Sequence, residues 1–182
     1  MIAFIDLETT GLDEHKDPII EWGIVMVNET TLEAAGELAV VVAPPSLDDL
    51  NINSHVLDMH MRNGLWDDIH KNGVLVEEAR EIIIEFLKSH STGKRKQHIL
   101  AGSGVSHFDN RFIKAQYPEV AALLTFWSYD VGVLRRAFES AGRKDLLGKP
   151  PKKNHRASDD ARLHYEEWKL LTGLLKQITV PA

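Results

Sequence analysis

The first 45 residues carry three runs of apolar and β-branched residues, separated by short polar segments. Runs of this kind predict β-strands. Pro44 and Pro45 follow the third run and end it, because proline has no amide hydrogen to give to a sheet. Since the connections are short, we expect an antiparallel meander. The predicted strands are Ile2–Leu7, Ile19–Val27 and Gly36–Ala43.

After residue 52, apolar residues recur at helical spacing, as Ala79, Ile83 and Leu87 do within Val76–His90. The Lys- and Pro-rich stretch 143–154 predicts a loop. Three antiparallel strands followed by a strand–helix–strand–helix unit predict one α/β domain over residues 1–182, with a mixed five-stranded sheet flanked by helices. The other predicted helices are Ser54–Arg62, Phe108–Tyr117, Val131–Ala141 and Ser158–Leu175, and the other strands are His98–Ala101 and Thr125–Tyr129.

Composition removes several classes of protein. With 43% hydrophobic and 26% charged residues, the 182-residue chain is not intrinsically disordered. It has no cysteine, which excludes disulfides, thiolate catalysis and cysteine-ligated metals. No apolar run reaches the roughly 20 residues of a membrane helix. We therefore expect a cytoplasmic protein with no membrane partner.

Charge is unevenly distributed along the chain. Residues 1–87 carry a net charge of −14, and residues 88–182 carry +8. Such an asymmetry indicates either a polyanionic partner or simply two solvated loops. Ten of the 21 basic residues lie in two stretches: Lys88, Lys94, Arg95 and Lys96, and then Arg143, Lys144, Lys149, Lys152, Lys153 and Arg156.

Asp6 and Glu8 are the most informative pair. Residues i and i+2 of a strand face the same way, so two carboxylates share one face at the end of a buried strand. Like charges side by side are costly unless a cation neutralises them. Hard divalent ions such as Mg²⁺ or Mn²⁺ take such oxygen ligands. The alternative is an acidic strand end that meets solvent.

Two further motifs carry acidic residues at predicted helix starts. Asp109 lies in Phe108–Phe112, and His155 precedes Asp159 and Asp160. Taken singly, the aspartates suit helix N-termini and His155 suits an exposed loop.

Together, the three motifs resemble the DEDDh 3′–5′ exonucleases of the ribonuclease H-like fold. The matching patterns are D-x-E-T-T-G-L at Asp6–Leu12, F-D-x-R-F at Phe108–Phe112 and H-x-A-x-x-D at His155–Asp160, so the resemblance spans nearly the whole chain. Within the family, His60–Leu65 and Tyr129–Val131 are most similar to segments of oligoribonucleases.

The resemblance implies hydrolysis of phosphodiester bonds at the 3′ ends of single-stranded DNA or RNA, with release of nucleoside 5′-monophosphates. Two divalent metal ions, Mg²⁺ or Mn²⁺, about 3.5–4 Å apart would be the cofactors. Asp6 would bridge them, His155 would be the general base, and H-x-A-x-x-D selects Asp160 over Asp159. The metal ligands implied are Asp6, Glu8, Asp109 and Asp160.

The same resemblance implies that the turn after the acidic pair binds the terminal nucleotide, through Thr9, Thr10, Gly11, Leu12 and His60. Leu12 either wedges between bases or packs in the core. His60 either stacks on a base or is a polar residue on a helix face.

Oligoribonucleases use an arginine and serines, partly from a second subunit, to bind the 5′ phosphate of a short substrate, and this chain departs from them at those positions. Because that branch uses a second subunit, the resemblance also allows a homodimer. At the aligned positions, this sequence has Trp127 where oligoribonucleases have the arginine, and Gly132 and Val105 where they have serines. It has His55 where they have a tryptophan that stacks on a base. Trp127 either stacks on an upstream base or packs in the core. Without those groups for the 5′ phosphate, we expect strands well beyond dinucleotides to be cut.

Three alternatives remain at this stage. The first is an oligoribonuclease restricted to very short RNA. The second is a haloacid-dehalogenase-like phosphatase, to which Asp6–Thr10 bears some similarity, although Glu8 would be too long for its acid. The third is a catalytically silent adaptor that binds nucleic acid or a polymerase.

Overall fold

The structure, a computed structural model, describes residues 1–45, 52–91, 97–149 and 152–177. Its sheet has five strands in the order β3-β2-β1-β4-β5. The first three pair antiparallel, whereas β4 and β5 are parallel to β1. This confirms the predicted mixed sheet. The strands are β1 (Ile2–Thr9), β2 (Ile19–Val27), β3 (Ala34–Val41), β4 (His98–Gly102) and β5 (Leu124–Asp130).

Seven α-helices flank the sheet within the described ranges. Five were predicted to within two residues at each end. The helices are α1 (Ser54–Arg62), α2 (Leu65–Asn72), α3 (Val76–Ser89), α4 (Asp109–Gln116), α5 (Pro118–Ala121), α6 (Val131–Ser140) and α7 (Ala157–Lys176).

Two helices and a turn were missed. Helix α2 begins directly after Gly64, whose φ of 80° suits glycine and turns the chain from α1 into α2. Pro118 was predicted to end a helix, but it also starts α5, where its missing amide hydrogen costs nothing. The predicted 143–154 loop contains a 3₁₀ turn at Lys144–Leu146.

Strand β1 is buried on both faces and separates two apolar layers. Its odd-numbered residues, such as Ile5, pack with α3 and α4. Its even-numbered residues, such as Phe4, pack against α7 and α6. Asp6 and Glu8 continue the even series, so both point to the α7 side.

No helix in the described parts of the chain is both long and apolar enough to cross a membrane.

Candidate active site

Four carboxylates, which we call the acidic cluster, lie at the end of β1 and the N-terminal turns of two helices. Each residue is between 1% and 8% exposed. The strand carries two, α4 begins with the third, and the fourth lies in the first turn of α7. The cluster consists of Asp6, Glu8, Asp109 and Asp160.

Backbone contacts hold the helical members against the strand. The Leu7 amide donates to Asp109 Oδ1 at 3.0 Å, which places that carboxylate beside the Asp6–Glu8 segment. Asp160 approaches because α7 begins directly against β2 at Gly23, where a Cβ would collide with the Ala157 carbonyl.

The acidic cluster is electrostatically costly. Burial, followed by a nearby aspartate, raises the pKa of Glu8 to about 8. Burial raises the pKa of Asp109 to about 7. Burial also raises the pKa of Asp6 well above its usual range, and that of Asp160 above its ordinary value. The protein therefore holds carboxyl groups whose ionised forms need a cation nearby.

Lys153 is the one described side chain that supplies a positive charge to the acidic cluster at close range. Its Nζ lies 3.5 Å from Asp6 Oδ1 and 3.7 Å from Asp160 Oδ2. Glu21, which faces Glu8 across the β1–β2 pair, differs because Arg156 binds it at 2.9 Å. The carboxylates of the acidic cluster therefore share a single lysine, whereas Glu21 alone is paired with an arginine.

Residues 152–156, the His155 loop, bring an imidazole to the edge of the acidic cluster. Ligand atoms of His155, Glu8 and Asp160 all lie within 4.8 Å of one another, although His155 itself is exposed. His155 has a φ of 58°, and its carbonyl accepts a hydrogen bond from Asn63 Nδ2. Polar contacts thus hold a strained, exposed histidine beside buried acids.

The next residue anchors the other side of the loop. Arg156 donates to Glu21 from two nitrogens and also pairs with Asp68 of α2 at 2.8 Å. The same glutamate accepts from the Ala157 amide at 2.8 Å. These contacts fix where the loop ends and α7 begins.

Comparison with known proteins shows the family. The exonuclease family model matches residues 3–168. The chain belongs to this exonuclease family. It is similar to the oligoribonuclease of Tropheryma whipplei (strain Twist), with 31% identity over 179 residues and 94% of each chain covered. It is also similar to a probable oligoribonuclease of Dictyostelium discoideum, with 32% identity over 177 residues, covering 92% of this chain and 86% of that one.

Solved structures show the same fold. The nuclease domain of 3′hExo, a DEDDh family member bound to rAMP, matches with a TM-score of 0.65 at 16% identity, covering 100% of this chain and 96% of that one. Escherichia coli Exonuclease I in complex with a 5cy-dT13 oligonucleotide matches with a TM-score of 0.72 at 14% identity. That match covers 97% of this chain, which spans 41% of the Exonuclease I chain.

These findings confirm the predicted DEDDh 3′–5′ exonuclease, its ribonuclease H-like fold and its similarity to the oligoribonuclease branch. They exclude the phosphatase alternative, because the chain belongs to the exonuclease family, and they favour an active exonuclease over a silent adaptor.

The donor set of the exonuclease fits divalent metal ions. Carboxylate oxygens are the ligands that hard divalent cations prefer. Asp160 Oδ1 is buried and has no hydrogen-bond partner among the described residues. A buried carboxylate oxygen without a partner is costly unless a cation contacts it.

The predicted substrate turn opens onto a cavity of about 510 Å³. Thr10, Gly11 and Leu12 line it, and His55 contributes from α1. Leu12 is 76% exposed, so the alternative of a core residue is wrong. Thr9 is buried and donates from Oγ1 to the Gly11 carbonyl at 2.6 Å, which shapes the turn.

His60 follows one of its two alternatives. Its ring is fully buried, so stacking on a base does not fit, and His60 is a polar residue on the buried face of α1. Nε2 lies 3.1 Å from the Thr9 carbonyl and 3.9 Å from Glu8 Oε2. His60 therefore supports the substrate turn from behind.

The predicted basic stretches behave differently. Lys94, Arg95 and Lys96 lie outside the described residues. Lys149, Lys152 and Lys153 are all exposed, as a solvated loop predicts, but the Lys153 ammonium also contacts the acidic cluster.

Sequence reasoning also missed several residues around the acidic cluster. Asn63 and Lys153 come together with it only through tertiary packing. His164 did leave a signal, because it follows Asp160 by four residues and therefore shares its face of α7. Its buried Nδ1 lies 3.6 Å from Asp6 Oδ1, and burial lowers the pKa of its imidazole to about 3.

Proposed function

We propose that this exonuclease releases nucleoside 5′-monophosphates from the 3′ ends of single-stranded nucleic acid at the acidic cluster. The strongest support for this proposal is that four buried carboxylates, with raised pKa values, lie together beside an exposed histidine.

Asp6, Glu8, Asp109 and Asp160 would hold two divalent ions, Mg²⁺ or Mn²⁺, with Asp6 contributing to both. Such ions, when bound, activate water and neutralise charge on the reacting phosphate. The protein contributes fixed oxygen donors in a buried setting, where electrostatic interactions are strong.

His155 is proposed to take the proton of the attacking water on a ring nitrogen. Imidazole changes its protonation near neutral pH, and this ring is exposed yet adjacent to Glu8 and Asp160. The water oxygen bonds to phosphorus as the bond to the leaving 3′ oxygen breaks. That oxygen takes a proton from solvent water, and the proton held by His155 returns to solvent.

The 3′-terminal nucleotide is proposed to occupy the cavity at the substrate turn. Leu12 is exposed there, and His55 also lines the cavity. Thr9 and Thr10 fix the backbone, since the Thr10 amide donates to the Pro18 carbonyl at 3.1 Å. Single-stranded DNA and RNA both remain substrates under this proposal.

Two observations bear on strand length. Val105 is buried and offers no donor, and Trp127 is 53% exposed, so core packing of that tryptophan is wrong. An exposed indole suits stacking of an upstream base, and we propose that longer strands are cut.

The second candidate, an oligoribonuclease for very short RNA, is favoured by the names of the similar proteins and by donors near Gly132. A Cβ on Gly132 would lie 3.0 Å from Ser103 Oγ and 3.5 Å from Arg136 Nη1. Ser103 and Arg136 therefore place hydrogen-bond donors beside Gly132, where the sequence alone indicated no donor for a 5′ phosphate.

We also propose a homodimer that forms through β5, the strand at one edge of the sheet. On β5, Phe126 is 95% exposed beside the half-exposed Trp127. Exposed apolar patches on edge strands mark interaction surfaces. Analytical ultracentrifugation of the chain tests this proposal, and a monomer at all concentrations would contradict it.

The deciding experiment is digestion of 3′- and 5′-labelled RNA and DNA, from dinucleotides upward, with Mg²⁺, Mn²⁺ or EDTA. We expect mononucleotide release from the 3′ label, a descending ladder from the 5′ label, and no cleavage in EDTA. Internal cuts or metal-independent cleavage would contradict the proposal. If 5′-phosphorylated dinucleotides are cleaved and longer strands stay intact, the second candidate is correct.

A further inference from the structure

His164 is a buried polar side chain that the proposed reaction leaves without a role. Its residue is 2% exposed, and neither ring nitrogen has a hydrogen-bond partner among the described residues. Burying an imidazole with both nitrogens unpaired costs free energy. His60 and His98, the other buried histidines in the described ranges, each place one nitrogen on a backbone carbonyl.

The unpaired ring adjoins the acidic cluster. His164 lies one helical turn beyond Asp160 on α7, and its Nδ1 lies 3.6 Å from Asp6 Oδ1. Two donor atoms about 3–4 Å apart can both reach one ion at bond lengths near 2.1 Å.

Lys153 marks where a positive charge is accommodated. Its ammonium lies between Asp6 and Asp160, and it lines a cavity of about 340 Å³ together with His164. A cation held by those two aspartates would therefore have the imidazole beside it.

We propose that His164 is a nitrogen ligand of the metal ion bound by Asp6, a fifth protein donor in addition to the four carboxylates. This inference rests on the proposed metal centre. Nitrogen donors suit transition metals better than Mg²⁺, which prefers oxygen. His164 therefore biases the site toward Mn²⁺ and later divalent metals.

The test is pulsed electron paramagnetic resonance of the full chain loaded with Mn²⁺ alone, read for coupling to ¹⁴N. His155 also approaches the acidic cluster, so its nitrogen must be separated from that of His164. We compare wild type, His155→Ala, His164→Leu, His164→Asn and His98→Leu. The last variant is the matched control, because it removes a buried imidazole that contacts Leu87 and Ser91 instead.

We expect nitrogen coupling in wild type, His155→Ala and His98→Leu, and its loss in both His164 variants. Calorimetry should show Mn²⁺ binding weakened by about 10–100-fold in the His164 variants, the range seen when support of a metal site is lost. Mg²⁺ binding should change much less.

Bound Mn²⁺ without nitrogen coupling in wild type would overturn the assignment of His164 and leave the metal centre standing. Coupling that disappears in His155→Ala and survives in His164→Leu would overturn it as well. Absence of Mn²⁺ binding would overturn both the inference and the proposed metal centre. Because wild type and His155→Ala are informative by themselves, a poorly folded His164 variant does not remove the test.

Discussion

The acidic cluster and the His155 loop meet at one site but are built in opposite ways. The carboxylates are buried on a central strand and two helix N-termini, with a backbone amide holding Asp109. The loop is exposed, and its contacts are side-chain hydrogen bonds and ion pairs, such as Asn63 to His155 and Arg156 to Glu21.

This difference indicates a division of labour. Regular elements hold the cluster in place even though its charges repel, which suits ligands that must stay fixed while metal ions enter. Polar contacts at a surface are weaker and easier to rearrange, which suits a base that must approach and leave a water. Lys153 connects the two regions, because this loop residue contacts Asp6 and Asp160.

The largest effect should come from the cluster itself. Asp6→Asn should abolish cleavage, because Asp6 is the carboxylate that interacts electrostatically with all three other members of the acidic cluster. The rate of mononucleotide release with saturating Mn²⁺ measures this. Asp67→Asn, which removes an exposed carboxylate paired with Lys71, is the control and should leave the rate unchanged. Wild-type activity in Asp6→Asn would contradict the assignment of Asp6 to the active site.

The loop should give the next largest effect. His155→Ala should slow cleavage by roughly 10²–10⁴-fold, the usual contribution of general acid–base catalysis. Mn²⁺ affinity should survive, since the four carboxylates remain. An unaltered rate would make His155 a bystander.

Loosening the loop anchor should give a smaller loss. Asn63→Ala removes the donor to the His155 carbonyl but leaves both the imidazole and the carboxylates in place. Misplacing a catalytic group by about 1 Å can cost up to 10²-fold, so the turnover number should fall by less than in His155→Ala. Mn²⁺ affinity measured by calorimetry should match wild type, and a loss of affinity equal to the loss of rate would contradict the separation of the two regions.

The smallest expected effect is on stability without metal. The pKa of Glu8 is raised to about 8 in the folded chain, so its folded form binds the proton more tightly than the unfolded form. Stability from this group is therefore complete below pH about 4 and is lost as pH rises through about 8. The melting temperature in EDTA should fall over that window.

Glu8→Gln should flatten that dependence and raise the melting temperature at pH 8. About 1 kcal/mol of relief corresponds to roughly 2–4 °C for a chain of this size. Differential scanning calorimetry with and without Mn²⁺ measures both variants. If the melting temperatures of wild type and Glu8→Gln depend on pH in the same way in EDTA, the acidic cluster does not lower the stability of the folded chain.

Local patterns predicted most of the architecture. Strand alternation placed Asp6 and Glu8 on one face of β1, and helical spacing predicted α3 and α7 closely. The motifs also indicated Asp109, His155 and Asp160, which the fold brings to the same place. Such information is local, because each residue depends on neighbours within a few positions.

What the sequence did not predict depends on contacts between distant segments. Asn63 reaches His155 across 92 positions, and Lys153 reaches Asp6 across 147. His60 was expected at the substrate surface because its motif carries no information on burial, yet it packs beneath the turn. Ser103, which directly follows β4, flanks Gly132 only after tertiary packing, whereas Arg136 lies one helical turn beyond Gly132 on α6.

Calorimetric titration of the metal-free chain with Mn²⁺ at pH 7 measures whether the acidic cluster holds divalent cations. With pKa values of about 8 and about 7, Glu8 is mostly protonated and Asp109 partly so at this pH. Metal binding must displace these protons. We expect two bound Mn²⁺ per chain and a binding enthalpy that varies with the ionisation enthalpy of the buffer, showing net proton release. Absence of binding, or binding with no proton release at pH 7, would contradict this expectation.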